Sequence, residues 1–157
     1  MEFINGLKKA QMLNKDCDYI LLDLEGFLCI TNRFYRFSID DEQLEYLNNV
    51  LDNILKCDNE AKIMVCAYKD ELVDNEQKTF IYADSILIST SISKESIIDI
   101  FNEGLDEFSP SDISTYEEIS EIDKNEMMYI TNNGTIKTMA EVLKETEIKN
   151  IKIIYWD

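Results

Sequence analysis

A chain of 157 residues is long enough for one domain that buries roughly two-thirds of its unfolded surface, and with 45% apolar residues, one Pro and four Gly it lacks a disordered composition. Acidic side chains outnumber basic ones 32 to 15 and the net charge is −17, a field that disfavours phosphate backbones and anionic lipid and fits a basic protein partner. The absence of His removes Ser-His-Asp and Cys-His catalysis.

In chain order, residues 2–14 predict a weakly amphipathic helix, with Phe3, Ile4 and Leu7 on one side and Gly6 weakening it. Residues 17–24, CDYILLDL, predict a strand. Glu25-Gly26 then reads as a tight turn into FLCITN as an antiparallel partner, and FYRFSI as a third strand would complete a meander. Asp40, answered by Gln43, predicts a capped helix whose stripe is Leu44, Leu47, Val50, Leu51, Ile54 and Leu55, ending near Cys57.

Residues 62–68 predict a buried strand, and residues 69–77, with Asp70, Glu71, Asp74 and Glu76, an acidic connection. The following run is apolar on both faces, with Phe80, Tyr82, Ile86 and Ile88 alternating with Ile81, Ala83 and Leu87, as a central strand requires. Asp84-Ser85 interrupts it and predicts a bulge or bend. Ser93 then caps a helix carrying Ile97, Ile100, Phe101, Leu105 and Phe108. Residues 109–126 predict mostly loop, with one short strand at residues 112–115. Residues 127–131 predict a strand, Asn133-Gly134 a hairpin turn, Thr138 with Glu141 a capping box, and residues 151–156 a last buried strand. The expected fold is a single α+β domain, residues 1–157, with a mixed or mainly antiparallel sheet of about six strands and three or four helices mostly on one face.

Strand, polar cap, helix recurs three times, before the helices that follow Asp40, Ser93 and Thr138; any helix leaving a sheet needs such a cap, so the echo does not require duplication. Cys17, Cys29, Cys57 and Cys66 stand singly beside apolar runs and read as buried, reduced thiols of a cytoplasmic protein. No C-x-x-C pair, calcium loop or glycine-rich phosphate loop occurs, so no metal or cofactor is expected. No apolar run is long enough for a signal peptide or a membrane span, so neither export by that route nor embedding is expected.

Asp23-Leu24-Glu25-Gly26-Phe27-Leu28, after the apolar Tyr19 to Leu22, resembles the first motif of the haloacid-dehalogenase-like phosphohydrolases. That resemblance would make Asp23 the nucleophile and Glu25 the acid/base in Mg²⁺-dependent phosphoryl transfer. Glu25 stands where the family has a second Asp, Phe27 replaces a small hydroxyl residue, and no later Gly-Asp acidic pair occurs.

The acidic tract of residues 103–126 is the strongest feature outside the expected core. It carries Glu103, Asp106, Glu107, Asp112, Glu117, Glu118, Glu121, Asp123 and Glu126, interleaved with Phe108, Ile113, Tyr116, Ile119 and Ile122, in the manner of an interface with aromatic anchors and steering carboxylates. The expected partner-binding residues are Glu103, Asp106, Glu107, Asp112, Tyr116, Glu117, Glu118 and Glu121, joined by Asp70, Glu71 and Asp74 from the other acidic connection. The function expected is inhibition of a basic partner such as a toxin domain; in type the chain resembles bacterial immunity or antitoxin proteins. The alternatives are a nucleic-acid mimic that occupies a DNA- or RNA-binding protein, and the phosphohydrolase.

Overall fold

The computed structural model describes residues 18–31, 33–34, 37–74, 79–103, 109–130, 135–144 and 150–156, and of residues 37, 69, 70, 72 and 74 the backbone alone. In chain order the elements are β1 (Tyr19–Asp23), α1 (Leu24–Ile30), β2 (Arg33–Phe34), β3 (Phe37–Ser38), α2 (Asp41–Cys57), β4 (Lys62–Asp74), β5 (Thr79–Ser89), α3 (Lys94–Asn102) and β6 (Asp112–Thr115). A 3₁₀ turn (Tyr116–Glu118) follows, then α4 (Glu121–Lys124), β7 (Met127–Ile130), β8 (Thr135–Thr138), α5 (Met139–Lys144) and β9 (Ile151–Tyr155). The fold is α+β as expected, with nine strands among the described residues in one mixed, mostly antiparallel sheet; the count exceeds six because β2 and β3 are two-residue strands and β8 is an added edge.

The sheet runs β3-β2-β5-β4-β1-β7-β8, with β9 also on β5 and β6 on β9. β5 is therefore central, and it is forked: β2 meets it at Ala83, whereas β9 pairs with Ser85 to Ser89. Asp84 lies at the fork and also at a bulge, because Cys66 of β4 faces Ser85 and Ala67 faces Ala83, which leaves Asp84 opposite no residue. The bulge changes the parity of the strand. Before it Ile81 and Ala83 enter the main core, after it Ile86 and Ile88 do, and Asp84 and Ser85 both turn to the opposite face.

Three helices cover the first face. Asp40 accepts from Gln43 N at 2.8 Å while its own N–H donates to Gln43 Oε1 at 3.1 Å, so α2 starts at the predicted capping box and buries Tyr46, Leu47, Val50, Leu51 and Ile54. Leu55, expected in that stripe, is exposed because it lies beyond the buried arc. Ser93 Oγ accepts from Ser96 N and starts α3, which buries Ile97 and Phe101; Leu105 and Phe108 lie outside the described residues. The Tyr46 hydroxyl donates to the Phe101 carbonyl and ties the two helices. Trp156 closes the fork: its N–H donates to the Asp84 carbonyl at 2.8 Å, and its ring lies 5.2 Å from Phe34 and 6.1 Å from Phe101.

Several expectations are corrected. Glu25-Gly26 is not a hairpin turn but the first turn of α1, where Asp23 Oδ1 caps Gly26 N at 2.6 Å and Leu24, Phe27 and Leu28 supply a helical apolar face. There is consequently no meander, and β2 and β3 form a small hairpin docked parallel onto β5. The acidic connection at residues 69–77 is strand as far as Asp74, because Leu72, Val73 and Asp74 extend the ladder opposite Ile81, Phe80 and Thr79. Cys66 is buried, but Cys29 and Cys57 are exposed thiols on the outer sides of their helices; none of the three is in a disulfide, and Cys17 lies outside the described residues. The expected helix at residues 2–14 and the turn at Asn133-Gly134 also lie outside them, although β7 and β8 pair antiparallel as that turn requires.

Candidate functional site

The second face of the sheet has its own smaller core, Leu21, Cys66, Leu87, Met128, Ile130 and Ile151 from the strands, roofed by Ile119, Met139 and Leu143. The roof consists of short pieces with interlocking caps. Glu118 Oε1 accepts from Thr115 N and Thr115 Oγ1 at 3.1 Å, Ser120 Oγ accepts from Asp123 N at 3.2 Å, and Thr138 with Glu141 forms the predicted capping box of α5. These pieces leave part of the sheet uncovered, as a cleft of about 460 Å³.

The floor of the cleft is built from the strands. Tyr19 of β1 lies opposite Tyr68 of β4, with ring centroids 5.3 Å apart, and the Tyr68 hydroxyl donates to Asp84 Oδ2 at 2.5 Å. Asp84 is only 6% exposed, and it lines the cleft because the bulge aims it there. Tyr155, Ser114 and Asp112 enter from β9 and β6, and Glu118, Asp123 and Glu126 form the acidic rim. Burial raises the pKa of the Tyr68 phenol first, and the hydrogen bond and charge of Asp84 raise it further, so Tyr68 is held as a proton donor. Tyr19 is pushed up to about 12 by burial and then by the charges of Cys66, Glu126, Asp84 and Asp123.

The expected partner-binding residues are distributed unevenly around this cleft. Asp112 and Glu118 line it. Glu117 and Glu121 are exposed on the same connected segment, and Tyr116 is half-buried in the roof, with the Lys124 ammonium 4.4 Å from its ring centroid. Glu118 holds Lys94 at 2.9 Å; that bond, followed by the Thr115 donors, lowers its pKa to about 2. Glu103 is not part of the set: it follows α3 and borders a groove between α2 and α3 with Glu42 and Glu45, on the helical side. Glu71 is exposed on β4 and does not line the cleft; the backbones of Asp70 and Asp74 belong to that strand, and Asp106 and Glu107 lie outside the described residues.

Sequence reasoning missed Tyr19, Tyr68, Asp84 and Tyr155. The one available signal was the polar Asp84-Ser85 step inside an apolar strand, which predicted the bulge without its use. Asp23 and Glu25 are exposed at the other end of β1, with Asp23 engaged as the cap of α1. Among the described residues, no three Cys, Asp or Glu side chains are grouped to hold a metal ion. No described helix is long and apolar enough to cross a membrane. No protein family, curated protein or solved structure gives a match to this chain.

Proposed function

We propose that this chain is a protein-binding module, an inhibitor that engages a basic partner, of the type represented by small bacterial immunity and antitoxin proteins and acting in the cytoplasm. The observation that carries the proposal is the segment 112–126, whose exposed carboxylates are held by successive caps on a fixed frame beside an open cleft. Preordered charges steer a basic surface without the entropy loss of first ordering a loop. Clustering of the acids with Tyr116, Tyr19, Tyr68 and Tyr155 favours a protein interface over mimicry of a nucleic acid, which calls for evenly spaced charge without aromatic anchors. The exposed thiols of Cys29 and Cys57 are compatible with a reducing compartment.

The test is affinity capture from source-cell lysate at low and high salt, followed by association kinetics with the captured protein. One basic, near-stoichiometric partner is expected, and charge reversal at Glu117, Glu118 and Glu121 should slow its association about tenfold or more at low salt, with little difference at high salt. A partner whose association rate is insensitive to both salt and charge reversal would refute the proposal.

A further inference from the structure

We infer that the outer edge of β6 receives an extended segment of the basic partner as an added antiparallel strand, with a small apolar residue facing Ile113 and a cation on either side of it; the inference rests on the protein-binding reading above. Among the described strands β6 pairs with β9 alone, so it is an edge of the sheet. The register decides which of its peptide groups are open. Trp156 N–H donates to the Asp84 carbonyl and Thr90 N–H to the Asn150 carbonyl, so the even-numbered residues of β9 turn their peptide groups to β5, and Ile153 and Tyr155 turn theirs to β6. Ser114 and Asp112 lie opposite those two, which leaves the N–H and C=O of Ile113 and Thr115 pointing away from β9. Thr115 N–H is taken by Glu118 Oε1 at 3.1 Å. Ile113 N–H and C=O have no hydrogen-bond partner among the described residues.

Ile113 is 4% exposed, so those two groups meet little open solvent, and a buried peptide group without a partner is rare in a folded chain. They border a groove of about 220 Å³ between β6 and α3. Five consecutive residues, Ser109 to Ile113, line it; a pocket on one face of a strand would be lined by alternate residues, so this groove runs along the edge. Its other wall is Ile98, Phe101 and Asn102 of α3, with Lys94 held by Glu118 at 2.9 Å. A residue added opposite Ile113 would turn its side chain to this wall, where Ile98 and Pro110 suit a small apolar group and Lys94 repels a cation. Its two neighbours would turn to the second face, beside Asp112 and the cleft carboxylates Glu118 and Asp123, where cations are favoured. In an antiparallel pair one residue supplies both the donor for Ile113 C=O and the acceptor for its N–H, which matches an open stretch one residue long. Backbone bonds then give affinity, and alternate side chains give the choice of partner.

The experiment is an NMR titration of the full chain with the peptide acetyl-Thr-Lys-Val-Lys-Thr-amide, compared with the same peptide N-methylated at valine and with one carrying Glu in place of both Lys. The first peptide should move the Ile113 amide proton downfield and slow its hydrogen exchange. N-methylation keeps the charges and side chains but removes the donor for Ile113 C=O, and should weaken binding about tenfold or more, the scale of one buried backbone hydrogen bond. The Glu peptide should not bind. Asp112→Lys, at an exposed position, should weaken the first peptide about three- to tenfold. Equal binding by the N-methylated peptide, shifts confined to Glu117 and Glu121, or an Ile113 amide unmoved at millimolar peptide would overturn the inference. In that event, a captured partner that still responds to charge reversal at Glu117, Glu118 and Glu121 leaves the protein-binding reading standing.

Discussion

The two faces of one sheet are built to different standards. On the first face Ile20, Leu22, Ile86, Ile88 and Ile154 lie under three helices, and Leu47, Ile54, Phe101 and Trp156 fill the space between layers with 2% exposure or less. On the second face the intervening residues of the same strands carry a smaller core, roofed by a 3₁₀ turn and two short helices, with Ile122 of α4 at 77% exposure. Strand alternation lets one stretch of chain serve both, so β1, β4, β5, β6 and β9 contribute to stability through one set of residues and to the cleft through the next. The difference teaches where substitutions should damage folding and where they should damage recognition.

The largest expected effect lies on the first face. Phe101→Ala removes a ring that touches Trp156 and should cost about 3–5 kcal/mol in denaturant unfolding. Leu143→Ala, beneath the thinner roof, should cost about 2 kcal/mol, the low end for such a truncation, because a short helix at the surface can settle into the space. An equal or larger loss at Leu143 would mean that the second face carries the fold, contrary to this division of labour.

A smaller effect is expected at alkaline pH from Tyr19. Its pKa is raised from 10.0 to about 12 by burial and the surrounding negative charge, so the folded state retains the proton longer than the unfolded chain. The associated stability is whole below about 10 and is lost as pH rises through about 12. A tyrosinate absorbance titration should show a late-ionising group that disappears in Tyr19→Phe. If the titration is unchanged by that substitution, the floor of the cleft is more open than described.

The smallest effect belongs to the exposed Lys94 and Glu118 pair, which links α3 to the roof. Glu118 is lowered from 4.5 to about 2, so its contribution is whole above about 4.5 and is lost as pH falls toward about 2. Lys94→Met should return its titration, read by carbon NMR, toward the ordinary carboxylate range, with little change in stability at neutral pH. A Glu118 titration unmoved by the substitution would leave Thr115 as the only donor that matters.

Much of the framework on both faces was legible in the sequence because its signals are local. Asp40 with Gln43, Ser93, and Thr138 with Glu141 each mark a helix start through hydrogen bonds spanning three residues, and the strand at residues 112–115 is bounded by turn residues. Helix α1 was misread because Glu25-Gly26 carries turn chemistry, and seven residues give too short a window for Leu24, Phe27 and Leu28 to declare a helical period. The end of β4 was misread because charged residues are depleted in strands, while its pairing with β5 continues regardless. The cleft depends on Tyr19, Tyr68, Asp84 and Tyr155, which converge only through sheet register. Of that convergence, only the bulge at Asp84 left a local trace.

The central proposal, that the acidic segment on the second face engages a basic partner while the first face holds the fold, is tested most directly by measuring two properties of a Glu117→Lys, Glu121→Lys double variant: the denaturant unfolding midpoint and the association rate with the captured partner at low salt. The account predicts that association slows about tenfold or more while unfolding free energy changes by no more than about 1 kcal/mol. Retention of the full association rate, or a loss of stability comparable to that of Phe101→Ala, would contradict it.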